Sequence, residues 1–533
     1  MSLPAERLLA IVERAAPPHE RLAGTWLTPL PEPNRARIDR LAAQWRKAIG
    51  REPAFPLEPA LAAVRASPGA PLPPWAAAFL ELAEHEDLSA AARGVAATFD
   101  ATESARADLV RLFTMRTGAI LSPLAEFEAQ LAASAAVLGS STAPAQPGPW
   151  LERCERFPVL AYLLGTAFVQ WRELLAEMFA RLAADLPELG RVSAFTGDAG
   201  DVHGGGRAVA LLTFESGQRI VYKPKDLRCA AALEALIGFL EPSLRRRSIL
   251  VRDGYGWEEV IPHRPCASAE EVALFYRRFG MLVRILQLVE GRDFWLDNLI
   301  ADGAQPVFID LETILQPRVR TAGLSVAEVA ARHRLGESVV ESCTIAMATP
   351  IDVGISAEDL GALAPPRAYL TPFRATPSSA TSGFITWSHT AHAPMLDAVA
   401  ADPAAHLDDL LGGYRFMHER IAASRDALLA PDSPLLALRE APVRFIRLDT
   451  WTYYKLLRRS YAPAMLVDGV QREIALQQLL GETDDSPSEV ALTLAEIAAM
   501  RQMDVPLFLS VPAMADVTTP SKTTVPDVFD GTA

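Results

Sequence analysis

Asp293-Phe294-Trp295-Leu296-Asp297-Asn298, followed by Pro306-Val307-Phe308-Ile309-Asp310-Leu311-Glu312, is the stretch whose reading decides the fold. An aspartate, an asparagine five residues on, and then a short apolar strand ending in acidic residues together suit phosphoryl transfer. In that chemistry Asp293 accepts the proton of a substrate hydroxyl, while Asn298 and a strand-end carboxylate serve a metal and the phosphates it bridges. If the chain stays extended past Ile309, Asp310 and Glu312 point to one side and Leu311 to the other. Two carboxylates aimed together suit a hard cation, so Asn298, Asp310 and Glu312 form the expected Mg²⁺ set and ATP the expected phosphoryl donor. A solvated loop can show the same spacing, so the surrounding chain has to carry the reading.

Upstream, Asp198, Gly200, Asp201, His203 and Gly204-Gly205-Gly206 lead into an alternating run at Ala208–Phe214. A turn at Glu215-Ser216-Gly217-Gln218 and a second strand, Arg219 to Lys225, complete a β-hairpin behind a glycine-rich loop. Glycine amides can approach phosphate oxygens closely because no Cβ intervenes. Gly204, Gly205, Gly206 and Lys223 therefore read as nucleotide-binding, in the order of a kinase N-lobe. Lys223 reads as a strand-end lysine on a lobe surface, and Glu234 in the Ala230–Leu240 helix offers it a partner. A strand at Gly256–Pro262 leads to a hinge. The Glu271–Val289 helix, with one apolar face, ends at Gly291, just before the catalytic loop.

Downstream, residues 317–350 read as a mobile segment around the site. His389 and His392 lack a third ligand or helix context, which argues against zinc. A helix is expected over His406–Ala427. Arg444 and Thr450 flank an apolar, strand-like segment. An arginine there can hold phosphate through its planar fork of donors or form a structural ion pair, and spacing alone favours the ion pair. The Thr- and Pro-rich tail, Ala515–Ala533, reads as loosely ordered.

The 533 residues exceed what one core serves. The expected division is a helical N-terminal region at 1–138, a Pro/Gly/Ser linker at 139–149, a supporting helical segment at 150–190, an N-lobe at 191–265 and a C-lobe at 266–533. Amphipathic helices are expected at Arg35–Ala48, Trp75–Glu84 and Ser104–Thr114. A net charge of −14 argues against nucleic-acid binding. Four scattered cysteines signal no disulfide framework. The apolar stretch Phe157–Trp171 is shorter than the roughly 20 residues a membrane span needs, so a buried helix is expected. With no signal peptide, a cytoplasmic location is expected.

In this order the motifs resemble the dehydratase half of class II lanthipeptide synthetases, the LanM type. The carrying segments are Gly200–Arg207, Val221–Lys225, Asp293–Ala301, Phe308–Thr313 and Arg444–Thr450. The resemblance implies an α+β chain, with a helical N-terminal region before a distorted, lipid-kinase-like two-lobe fold. It also implies ATP- and Mg²⁺-dependent phosphorylation of Ser and Thr in a precursor peptide bearing a leader, followed by phosphate elimination to dehydroamino acids. Lys223 would then sit on the ATP phosphates and Asp293 would be the phosphorylation base. Asn298, Asp310 and Glu312 would serve the metal and phosphates. Asp201 and His203 would belong to the loop over the nucleotide, and Arg444 and Thr450 to elimination. The family's longer members continue into a zinc-dependent cyclase, so a separate cyclase is the expected partner here. One position departs: the family histidine two residues after the catalytic aspartate is Trp295, and indole transfers no proton. The alternatives are therefore a peptide kinase without elimination, or a non-catalytic protein that binds leader peptide or nucleotide.

Overall fold

The computed structural model describes residues 4–23, 27–29, 35–52, 54, 56–61, 64–66, 71–137, 150–316, 338–339, 342–345, 362–363, 367–371, 385–389, 391–483, 486–526 and 528–529. The expected linker at 139–149 and most of the expected mobile segment at 317–350 lie outside these residues. The protein is α+β, and its contacts divide it into two compact units. One comprises Met1–Gln218, Pro372–Ile385 and Leu448–Pro506. The other comprises Arg219–Thr371, Thr386–Arg447 and Leu507–Ala533.

The first unit is mainly helical. The Val159–Asp185 helix is its spine, buried on every side from Val159 to Phe168. A helix apolar all round belongs in a core. This is the stretch expected as a buried helix, and among the described residues no helix is long and apolar enough to cross a membrane. Phe168 and Trp171 meet Phe113 of the long Glu103–Val137 helix, and the Trp171 indole donates to the Leu109 carbonyl at 3.1 Å. That helix runs well past the expected Thr114 end. Two antiparallel strands, Val192–Thr196 and Ala210–Phe214, bracket the glycine-rich loop. Thr450 does not flank a strand-like segment. It opens the Thr450–Ser460 helix, because the Asp449 side chain caps that end by accepting the Thr452 amide. A cap of this kind contributes about 1 kcal/mol.

In the second unit the Tyr255–Glu259 strand is central, with Arg219–Lys223 and Ile249–Arg252 antiparallel on either side. The Ala269–Leu288 helix, capped by Ser268, crosses the Leu407–Ala423 helix almost backbone to backbone. A Cβ on Gly280 would lie 2.0 Å from the Leu410 carbonyl oxygen, and one on Gly413 would lie 1.8 Å from that of Arg277. Glycine at both positions is what lets the axes approach. The Leu299–Asp302 and Gln305–Phe308 strands pair as a hairpin directly after Asn298. The tail departs from its expected looseness. Phe508–Ser510, Val517–Thr518 and Thr524–Val525 extend a four-stranded sheet from Val443–Phe445, and Phe529 packs edge-on against Phe445. The physical reason is periodic burial: Val517, Val525, Val528 and Phe529 are apolar and inward-facing between the Thr and Pro residues.

Candidate functional site

The expected site residues fall into two clusters, one in each unit. In the second unit, Lys223 ends its strand only 6% exposed. Its ammonium lies 3.0 Å from the Glu258 carboxylate and donates to the Ile309 carbonyl at 2.6 Å. Arg247 bonds Glu258, Glu234 and the same Ile309 carbonyl, each at 2.8 Å. The expected Lys223–Glu234 pair is therefore replaced by Lys223–Glu258 and Arg247–Glu234. Two acids and two bases balance, as burial of charge requires. Lys223 is thus an interior residue and not a surface one.

Two residues on, a second balanced quartet forms. The Lys225 ammonium bridges Asp310 at 3.1 Å and Glu312 at 2.5 Å. Arg444 meets Glu312 at 3.2 Å and donates its own amide to the Glu312 carbonyl at 2.8 Å. Leu311 between the two acids is buried, as strand alternation expects. Burial pushes the Asp310 carboxyl up, but Lys225, Lys223 and Arg444 together outweigh it and hold the group below the usual carboxylate range. Burial likewise lowers Lys225, and Asp310 and Glu312 more than offset it.

The catalytic-loop residues lie alongside. Ile309 donates to the Asn298 carbonyl at 2.8 Å, which puts Asn298 next to Asp310. The Asn298 side chain donates to the Asp293 carbonyl at 2.7 Å. Asp293 has φ +64°, a left-handed conformation that costs free energy in a non-glycine residue and concentrates at functional sites.

In the first unit Asp201 accepts from Thr450 at 3.2 Å and from Tyr454 at 2.9 Å. Within the loop, His203 and Arg207 exchange backbone bonds at 2.8 Å, and His203 Nδ1 lies 2.7 Å from the Val505 carbonyl. Gly204, Gly205 and Gly206 have φ of +52°, +85° and +80°, so only glycine is unstrained there. The Gly205 and Gly206 amides, expected to face phosphates, donate to the Asp504 carboxylate. Arg444 and Thr450, read together in the sequence, belong to different units.

Sequence reasoning passed over Lys225, Arg247, Glu258, Tyr454 and Asp504. Lys225 stood in the quoted strand at the same parity as Lys223. Asp504 carried no local signal.

The donor set near Asp310 fits magnesium. Among the described residues no group of three or more His, Cys, Asp or Glu could hold a metal ion. Mg²⁺ however is typically held by one or two carboxylates together with waters and substrate phosphates, and Asp310, Glu312 and the Asn298 oxygen are hard donors of that kind.

The family model described as a domain of unknown function, DUF4135, matches residues 157–510, well over half of the chain. The chain belongs to the DUF4135 family. The DUF4135 segment holds every site residue named above from Lys223 to Thr450, together with the glycine loop and Asp504. The chain is also similar to the lacticin 481/lactococcin biosynthesis protein LcnDR2 of Lactococcus lactis subsp. lactis, at 26% identity over 134 residues. That similarity covers 22% of this chain and 14% of the relative, a small part of the relative's length.

Proposed function

We propose that this DUF4135 chain is an ATP-dependent lanthipeptide dehydratase of kinase-like architecture. It would act on a precursor peptide bearing a leader. The observation that carries the reading is the gathering of Lys225, Arg444, Asp310 and Glu312 beside Asn298 and Asp293 in one compact unit. The similarity to a lacticin 481/lactococcin biosynthesis protein supports the substrate class.

In the first step Asp293 takes the proton of a Ser or Thr hydroxyl as its oxygen receives the γ-phosphoryl group and ADP leaves. Lys225 and Arg444 supply fixed positive charge where phosphate charge accumulates. Asp310, Glu312 and the Asn298 oxygen are the residues that would hold Mg²⁺. Magnesium, when bound, neutralises phosphate charge and aligns the oxygens for transfer. In the second step the Cα–H pair becomes the Cα=Cβ bond, the Cβ–O bond breaks, and phosphate departs with that electron pair. His203, whose Nδ1 lies against the Val505 carbonyl, is assigned to take the Cα proton. Arg444 is assigned to the leaving phosphate, and Thr450 to holding Asp201.

Trp295 supports the second reading, a peptide kinase that stops at phosphopeptide. Co-expression with a lanthipeptide precursor followed by mass spectrometry separates the readings. Dehydration removes about 18 Da per site and phosphorylation alone adds about 80 Da. The expected result is dehydration by the wild type with little change in Trp295→His. Phosphopeptide that turns to dehydrated product only in Trp295→His favours the kinase reading. An unchanged mass defeats both.

A further inference from the structure

Asp504 follows the Pro487–Arg501 helix and is 3% exposed. Its two oxygens accept the Gly205 amide at 2.6 Å and the Gly206 amide at 2.9 Å. The next residue grips the same loop through the main chain: the Val505 amide donates to the Val202 carbonyl at 2.8 Å, and the Val505 carbonyl lies against His203 Nδ1. Arg116, from the Glu103–Val137 helix, donates to the Gly206 carbonyl at 2.8 Å and makes a forked pair with Asp198 at 3.0 and 2.6 Å. Arg207 donates to the Gly204 carbonyl at 2.6 Å and to Glu177 at 2.8 Å.

Successive glycine amides in left-handed conformations form a concave nest for an anion. Here the chain fills the nest with its own carboxylate. Two arrangements could account for that: a plug that an incoming phosphate displaces, or a permanent tether. The Val505 bonds favour the tether, because the main chain next to Asp504 is itself fastened to Val202 and His203. The loop carries Asp201, held by Thr450 and Tyr454, and His203. Without the tether, the Gly205 and Gly206 amides would lose their acceptor, in a run of glycines that have the widest backbone freedom of any residue.

We propose that Asp504 is a positioning residue, which sets the glycine loop so that Asp201 and His203 are aligned for phosphate elimination. The inference rests on the dehydratase reading and adds to it a residue that touches neither peptide nor nucleotide.

The test uses the full chain with Asp504→Asn, which keeps the shape and one acceptor, and Asp504→Ala, which keeps neither. Hydrogen–deuterium exchange over 201–207 should speed up in the order wild type, Asn, Ala. Affinity for a fluorescent ATP analogue should stay within about twofold of wild type, since Lys225 and Arg444, proposed for the phosphate charge, belong to the other unit and the glycine amides are already occupied by Asp504. With a precursor that the wild type dehydrates, both variants should accumulate phosphopeptide, with elimination slowed about 10²-fold in Asp504→Ala. Three results overturn the proposal: unchanged loop exchange, wild-type dehydration by folded Asp504→Ala, or a marked rise in nucleotide affinity, which would make Asp504 a displaceable plug. A wild type that leaves every peptide unmodified removes the dehydratase reading instead. The exchange measurement then decides the tether alone, faster exchange supporting it and unchanged exchange overturning it.

Discussion

Lys223 and Lys225 stand two residues apart and do different work. Lys223 completes a buried, charge-neutral network with Glu258, Arg247 and Glu234, whereas Lys225 bridges the two carboxylates suited to a metal. Asp504 is the residue whose environment makes the sharpest solution prediction. Burial pushes its carboxyl up to about 7, against the opposing pull of the Gly205 and Gly206 amides, Arg116 and Arg207; Tyr461 also faces it. An acid whose folded pKa exceeds its unfolded one binds more protons folded than unfolded between the two values. Stability therefore falls as pH rises through that window. For Asp504 the window runs from the ordinary 3.8 to about 7. The unfolding free energy of the wild type, measured against Asp504→Asn by denaturant titration, should decline across that range and level off above it. The decline should be a few kcal/mol at most, at about 1.4 kcal/mol per pH unit. A difference that does not vary with pH would mean that the carboxyl is ionised throughout.

At the level of elements, the crossing of the Ala269–Leu288 and Leu407–Ala423 helices depends on two glycines. Gly413 sits where any Cβ would strike the Arg277 backbone, while neighbouring Gly412 has nothing within 4 Å of that position. Gly413→Ala should force the helices apart and cost about 3 kcal/mol or more. Gly412→Ala should stabilise the same helix by about 0.5–1 kcal/mol, because only backbone entropy changes. Thermal melts of the two variants check this. Equal melting temperatures would mean that the helices are not in close contact. The Thr450–Ser460 helix teaches a related lesson. Its start was missed because Asp449 capping competes with the apolar run before it, and the cap prevails once the strand ends at Phe445.

For the whole molecule, the DUF4135 match extends over residues of both units, with Arg444 in one and Thr450 in the other. Arg444 shares Glu312 with Lys225, while Thr450 donates to Asp201. If each serves elimination, Arg444 through its charge and Thr450 through Asp201, Arg444→Ala and Thr450→Ala should each accumulate phosphopeptide while phosphorylation continues. Losing one preorganised donor typically costs about 10²–10³ in rate. Mass spectrometry and phosphate release measure the two steps separately. Loss of phosphorylation in Arg444→Ala, with the fold intact, would show that its main task is to hold the Glu312 carboxylate for Lys225 and Asp310.

The sequence by itself determined a buried helix at the apolar stretch Phe157–Trp171 and the alternation that turns Asp310 and Glu312 to one side with Leu311 inward. These follow from local backbone geometry, in which the helix or strand period sets the direction of each side chain. Only the tertiary structure decided which charges meet. Glu234 was the partner the sequence offered Lys223, and Glu258 takes that place in the fold while Arg247 holds Glu234. The tail's sheet likewise depended on strands joined across long separations. Asp504 reaches Gly205 from 299 residues away, a choice that no local period encodes. Burial makes such partners obligatory, because an unmatched charge in the interior costs far more than the chain can spare, but it does not say in advance which partner will be near.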